Sequence, residues 1–227
     1  MSISVALAAY NGGKYIGEQI KSILPQLGDD DELIISDDNP SGDTKSAVDA
    51  FNDKRIKYIA GRGKGVVANF ENAINNCTGD YIYLCDQDDV WLPDKVNTVQ
   101  KLFEDGADVV LHNAIITDAN LNNTGKTSFE LYNSKTGFTK NFIRNSFVGC
   151  CMAIRRDALV SSLPFPASIP MHDWWIGLNS IKKGFKIVLT DKTLILWRRH
   201  GDNVTGTKTT LLQKLKFRIK MIGYLFP

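Results

Sequence analysis

One feature constrains the fold of this chain more than any other: an alternation of patterns. From Ile3 to about residue 112, short apolar runs suited to buried strands take turns with segments whose apolar residues recur at helical spacing. Ile3 to Ala9 is the first run, and Asn11-Gly12-Gly13 breaks it. Tyr15, Ile16, Ile20, Ile23 and Leu24 then mark a helix that Pro25 and Gly28 end. Glu32 to Ser36 predicts a second strand, Thr44 to Phe51 a short helix and Ile56 to Ala60 a third strand. Gly61, Gly63 and Gly65 make a loop before a helix over Val66 to Asn76. Tyr81 to Leu84, Lys95 to Phe103 and Asp108 to His112 read as strand, helix and strand. Such alternation implies right-handed crossovers, and so an α/β fold with a mostly parallel central sheet flanked by helices. Residues 1–112 have a nucleotide-binding architecture, although architecture alone does not fix chemistry.

The rest of the chain is less regular. Ile115 to Phe142 is polar with weak periodicity, and Asn120, Asn122, Asn123, Gly125 and Lys126 suggest a turn or hairpin tip. Phe147 to Ile154 is an apolar run, Arg156 to Ser161 a helix, and Pro164, Pro166 and Pro170 punctuate a loop. Met171-His172-Asp173-Trp174-Trp175 leads a helix to Lys183. Two further strands are expected, Lys186 to Leu189 and Thr193 to Trp197, before a basic, apolar tail from Thr209.

Composition excludes several classes. With 227 residues and 43% hydrophobic content, a sizeable core needs no disulfide or structural metal. A net charge of +2 gives no footprint for nucleic acid as a partner. Cys77, Cys85, Cys150 and Cys151 lack zinc spacing, and Cys85, Cys150 and Cys151 sit in apolar contexts, as buried thiols of a reducing cytoplasm would. Ser2 to Tyr10 is strand-like and lacks the basic flank of a leader, and no stretch reaches the roughly 18 apolar residues of a membrane span.

The chemistry is concentrated in Leu84-Cys85-Asp86-Gln87-Asp88-Asp89-Val90-Trp91-Leu92-Pro93-Asp94. In an open α/β sheet, ligands bind at the carboxyl ends of strands. Three acids clustered there repel one another unless a cation lies between them. Hard oxygen ligands suit Mg²⁺ or Mn²⁺, which in turn hold phosphates. The competing reading is a plain turn, with Asp89 or Asp94 capping the helix beyond it.

Four segments stand in order: Val5 to Asn11, Ile35 to Asn39, Cys85 to Pro93, and His172-Asp173-Trp174-Trp175. Together they resemble the family 2 glycosyltransferases, inverting enzymes of the GT-A fold, over roughly residues 3–205. The Asp-Gln-Asp-Asp-Val-Trp form and Trp197-Arg198-Arg199-His200-Gly201-Asp202-Asn203-Val204-Thr205 are similar to bacterial rhamnosyltransferase-like members. The resemblance implies a single GT-A domain over 1–205 (nucleotide half 1–112, acceptor half 113–205) and a tail over 206–227. It also implies residue roles. Ala8 and Tyr10 would lie beside the base and ribose, and Asp38, which the motif register favours over Asp37, would bond the ring imide of uracil or thymine. The other reading of Asp38 is an Asx-turn onto Ser41. Lys64, in a loop that departs from the family's pattern, would reach a phosphate or the base; Asp86 and Gln87 would lie near the ribose. Asp88, with Asp86 and His200, would hold Mn²⁺ or Mg²⁺. Asp173 would be the catalytic base, preceded by His172 where Glu is common; its other reading is a helix N-cap. Trp174 and Trp175 would stack on acceptor sugar, the other reading being that one of them belongs to the core.

The activity that the resemblance implies is transfer from a UDP- or dTDP-sugar to a hydroxyl of a glycan or lipid-linked glycan, in cell-surface polysaccharide biosynthesis. A nucleotidyltransferase, or a non-catalytic nucleotide-sugar binding module, is the rival reading. In the tail, Lys214, Lys216, Arg218 and Lys220 alternate with Leu215, Phe217, Ile219 and Met221. Such a segment can lie on an anionic membrane, which would put the enzyme in the cytoplasm at the inner face of the membrane. Otherwise it packs on its own domain or on a second copy in a homodimer.

Overall fold

The computed structural model describes residues 1–201 and 210–226. The first part of the chain has the expected order with one strand added, β5: β1 (Ile3–Ala9), α1 (Ile16–Ile23), β2 (Glu32–Asp37), α2 (Thr44–Asp49), β3 (Ile56–Ala60), α3 (Val66–Asn75), β4 (Tyr81–Asp86), β5 (Val90–Trp91), α4 (Lys95–Glu104) and β6 (Val109–Thr117). The second half contributes β7 (Asn123–Thr127), α5 (Ser128–Tyr132), α6 (Phe138–Ile143), β8 (Met152–Arg155), α7 (Arg156–Val160), α8 (His172–Lys182), β9 (Ile187–Arg198) and α9 (Leu211–Leu225).

Among the described residues nine strands form one sheet in the order β3-β2-β1-β4-β8-β6-β9-β5, with β7 beside β6. The long pairings are parallel: β1 with β2 and β4, β2 with β3, and β6 with β9. The short ones are antiparallel, and β8 is the strand that reverses direction between β4 and β6. Strands β1, β2 and β4 are buried along nearly their whole length, as expected of a sheet covered on both faces. Ile16, Ile20 and Ile23 of α1 and Phe70, Ala73 and Ile74 of α3 supply part of that cover. The four cysteines are buried free thiols. Among the described residues, no helix is long and apolar enough to cross a membrane.

Three departures from the sequence reading have local causes. The two late strands are one, Ile187–Arg198. Its register on β6 jumps from His112↔Thr190 to Asn113↔Thr193, so exposed Asp191 and Lys192 bulge outward without ending the strand. The expected hairpin tip is shifted. Asp118 closes the turn by accepting from the Asn120 and Asn122 amides at 2.8 and 2.9 Å, which releases Asn123 to Thr127 to pair as β7. Helix α5 begins at a capping box: Thr127 Oγ1 accepts from the Glu130 amide at 3.3 Å, and Glu130 Oε2 accepts from the Thr127 amide at 2.8 Å.

Candidate active site

The carboxyl ends of the parallel strands set the floor of the site. Register places Ala8 beside both Asp86 and Ser36, and Ala9 beside Asp37. Asn69, buried in α3, fastens β1 to β2 by donating Nδ2 to the carbonyls of Ala9 and Ser36, each at 2.9 Å. Ala8 is half-buried and Tyr10 is 59% exposed, which leaves the Tyr10 ring open above the strand ends. The Gln87 amide is already engaged: it accepts from the Tyr10 N–H at 2.8 Å and donates to the Tyr10 carbonyl at 3.0 Å. Gln87 therefore fixes the backbone that presents Tyr10.

Asp37 and Asp38 divide their work. Asp37 is buried, accepts from the Tyr58 hydroxyl at 2.7 Å, and makes the Asx-type contact with the Asn39 amide at 3.1 Å. Asp38 makes no turn onto Ser41, whose hydroxyl donates to Asn39. Its carboxylate instead accepts from the amides of Gly63 at 2.7 Å, Lys64 at 3.3 Å and Gly65 at 2.7 Å. This curls the glycine loop around it. Gly63 and Gly65 have φ of 64° and 87°, conformations that L side chains rarely adopt. The Lys64 side chain is exposed at this loop.

The acid motif occupies the end of β4. Asp88 and His200 come together from distant parts of the chain, with His200 Nε2 2.8 Å from Asp88 Oδ2. Asp86 lies near Asp88 and also joins a second group. One ligand atom from each of Asp86, Asp89 and Cys150 lies within 4.8 Å of the others. Burial, then the carboxylates of Asp88 and Asp173, push Asp86 up to about 7. Asp89 is fully buried. One of its oxygens accepts from the Arg198 amide at 3.0 Å, the Cys150 thiol lies close by, and burial with the neighbouring acids raises its carboxyl well above the usual range. Asp94 stands at the N-cap position of α4 but makes no capping bond.

These residues fit a divalent cation. Asp88 and His200 place an oxygen and a nitrogen 2.8 Å apart, and burial and mutual repulsion penalise the charged forms of the neighbouring Asp86 and Asp89, a penalty that a cation would relieve. Mn²⁺ and Mg²⁺ are both compatible with carboxylate donors, and the imidazole suits the former better.

Arg198 carries no role in the sequence reading, although its neighbour His200 does. It is 3% exposed at the end of β9. Its guanidinium donates to the Asp88 carbonyl at 2.7 Å and the Ala119 carbonyl at 2.8 Å, pairs with Glu18, and stacks on Tyr15 at 4.6 Å. It thus holds the acid loop on the sheet.

Asp173 lies in the first turn of α8 and is 7% exposed. It is not the N-cap, which is Met171. Its carboxylate accepts from the Trp174 amide at 2.5 Å, the Gly149 amide at 3.2 Å and Asn145 Nδ2 at 3.3 Å. Burial outweighs these donors and raises it to about 7. Its charge contributes to the rise at Asp86, so the two carboxyl groups lie within electrostatic reach of each other. His172 stacks on Phe70 at 3.9 Å with neither ring nitrogen bonded among the described residues, and burial lowers it to about 3, so it is neutral.

The tryptophans correct an expectation. Trp174 and Trp175 are 8% and 6% exposed, and their indole N–H groups donate to the carbonyls of Asn141 at 2.7 Å and Ser162 at 2.8 Å. With their faces packed in the core, neither is open to stack on a sugar. Asp202 to Thr205, the end of the late motif, lie outside the described residues.

Comparison with known proteins adds the family. The sequence is 27% identical over 92% of its length to the dTDP-rhamnosyl transferase RfbG of Shigella flexneri, covering 77% of that protein. It is 25% identical over 79% of its length to the UDP-Glc:alpha-D-GlcNAc-diphosphoundecaprenol beta-1,3-glucosyltransferase WfgD of Escherichia coli, covering 70% of it. The fold matches S. aureus TarS 1-349 in complex with UDP-GlcNAc, with a TM-score of 0.71 at 16% identity over 99% of this chain. It also matches the mannosyltransferase PcManGT from Pyrobaculum calidifontis in complex with GDP-Man and Mn²⁺, with a TM-score of 0.62 at 16% identity over 90% of this chain. The chain spans 66% and 58% of those two solved chains. The shared architecture is the GT-A fold, a mixed sheet whose long pairings are parallel, with helices on its faces. The profile of Glycosyl transferase family 2 matches residues 4–161, and the chain belongs to that family.

Proposed function

We propose that this chain transfers a sugar from a uridine or thymidine diphosphate donor to a hydroxyl of a lipid-linked or other glycan acceptor, with inversion at the anomeric carbon. The observation that carries this reading is a buried carboxylate, Asp173, held by the Gly149 amide and Asn145, raised to about 7 by burial, and near enough to the acid motif that its charge raises Asp86. A general base works best when its pKa lies near the working pH. Asp173 takes the proton from the acceptor hydroxyl. The oxygen bonds to the anomeric carbon on the face opposite the nucleotide, and the bond from that carbon to the diphosphate oxygen breaks. Asp88 and His200 would hold the divalent cation, with Asp86 beside them. Mn²⁺ or Mg²⁺ bound there supplies positive charge to offset what accumulates on the leaving diphosphate. Tyr10 would present an aromatic face to the base, Asp38 an acceptor for its ring N–H, and Lys64 a charge within reach of phosphate.

Support for the donor and acceptor classes comes from relatives named for dTDP-rhamnosyl transfer and for glucosyl transfer to a diphosphoundecaprenol-linked sugar. An acceptor of that kind puts the reaction at the inner face of a membrane, in the assembly of cell-surface polysaccharide.

Asp173→Asn tests the assignment. The variant should bind donor and Mn²⁺ as the parent does and lose on the order of 10²–10⁴-fold in transfer. The parent's rate should climb as pH rises through about 7, where Asp173 gives up its proton, and the residual rate of the variant should lack that limb. Transfer by Asp173→Asn at the parental rate would remove Asp173 from the reaction.

A further inference from the structure

Helix α9 has two faces of opposite character. Met221 and Leu225 are buried, at 0% and 1% exposed, with half-buried Phe217 on the same side. This face packs the helix on its own domain, beside α8. The other face carries Leu212, Leu215, Ile219 and Ile222, which are 62%, 54%, 61% and 47% exposed. Their spacing of three and four residues stacks them in one stripe along the helix. Ile143 of α6 is 59% exposed next to this helix, where Arg218 donates to its carbonyl, and it widens the apolar surface. At 100° per residue, exposed Lys216 and Lys220 fall along one margin of the stripe and half-buried Arg218 along the other, while Lys214 is exposed in the first turns of the helix, before the packed face reaches Met221. The helix contains no acidic residue.

We infer that this face is a membrane-docking surface whose occupant is a bilayer containing anionic lipid. The apolar stripe sinks to the level of the acyl boundary, and the flanking lysines meet lipid phosphates. Charge complementarity selects this occupant over a second copy of the chain. Two α9 helices face to face would bring like charges together with no carboxylate on either to offset them. Three lysines and a single stripe give reversible binding rather than insertion. The inference goes beyond the transfer reaction and rests on that reading only for its purpose, which is to hold the enzyme where a lipid-linked acceptor lies.

Flotation of the full chain with vesicles tests this. The chain should float with phosphatidylcholine vesicles that contain phosphatidylglycerol, remain behind with phosphatidylcholine alone, and detach as salt is raised. Leu215→Glu with Ile219→Glu should abolish flotation. Lys214→Gln, Lys216→Gln and Lys220→Gln should weaken partitioning about fivefold for each lysine removed. Both sets should melt at the parental temperature, because the altered side chains are exposed. They should also hydrolyse donor at the parental rate with Mn²⁺, so a failure of the transfer reading appears in the parent's own hydrolysis and not in flotation. Parental flotation by the double glutamate variant would overturn the proposal. So would a parent that ignores anionic vesicles but sediments as a dimer disrupted by the same substitutions.

Discussion

Asp88 and His200 stand 112 positions apart in the chain and 2.8 Å apart in the fold. A histidine beside two arginines is commonly a surface residue, and only the return of β9 alongside β6 brings this one to the acid motif. If the pair holds the cation, His200→Ala should weaken Mn²⁺ binding by at least tenfold, since removing even an outer partner of a metal ligand costs 10–100-fold. Paramagnetic resonance of free Mn²⁺ in titrations without donor gives the affinity directly, and equal affinities for parent and variant would reduce the pair to a hydrogen bond. At this scale the motif residues were legible, because chemistry dictates residue type. Orientation was not. The same motif that supplies Asp173 supplies Trp174 and Trp175, and α8 turns the carboxylate toward Gly149 and Asn145 while it turns both indoles into the core.

Elements are held in register by polar groups that periodicity does not reveal, and Glu32 is the clearest of them. At the start of β2 it accepts from Ser4 on β1 at 2.6 Å, from the Thr78 amide at 2.5 Å and hydroxyl at 2.8 Å before β4, and from Lys57 on β3 at 2.6 Å. Burial alone would raise its carboxyl. The bonds from Lys57, Ser4 and Thr78 together outweigh it and hold the group at about 2. A depressed carboxyl stabilises the fold above the unfolded pKa and loses that contribution as pH falls through the folded one. At about 1.4 kcal/mol per pH unit the contribution is bounded near 3 kcal/mol, and solvent around the exposed Lys57 brings it to about 2. Glu32→Gln should therefore lower urea stability by about 2 kcal/mol at pH 7, and the gap to the parent should narrow from about pH 4 downward. A gap that widened on acidification would contradict the linkage. Long periodic elements such as β1, α1 and α3 were legible from apolar spacing. Strand β9 was not, because Thr190-Asp191-Lys192 has the composition of a turn and becomes a bulge only when β6 lies alongside. Strand β5 was equally hidden, being two residues whose pairing with Leu196 and Ile195 exists only in the assembled sheet.

For the whole molecule, the decisive step is convergence. Strand ends of β1, β2 and β4 bring Ala8, Asp38 and Asp86 to one edge, β9 delivers Arg198 and His200, and α8 delivers Asp173 from the second half. The sequence revealed the first group through its alternation, since parallel strands must end on the same side. The contributions of β9 and α8 were legible only as motif fragments, because nothing local tells where a strand about 110 residues away will return. This division of labour makes a prediction about donor choice. Asp38 already accepts three backbone N–H groups, yet two carboxylate oxygens offer about four acceptor sites, so one remains for the ring N–H of a pyrimidine imide. UDP or dTDP with Mn²⁺ should therefore bind across the strand ends and raise the melting temperature. At a hundred times the dissociation constant the gain is about 2.7 kcal/mol, or about 5–10 °C for a chain of this size. EDTA should cancel most of the shift, and Asp38→Ala should narrow the margin by which UDP exceeds GDP and ADP. If GDP or ADP stabilised the parent as much as UDP does, the base would be read elsewhere than at Asp38; if the UDP shift persisted undiminished in EDTA, the diphosphate would be held by side chains rather than through a cation on Asp88 and His200.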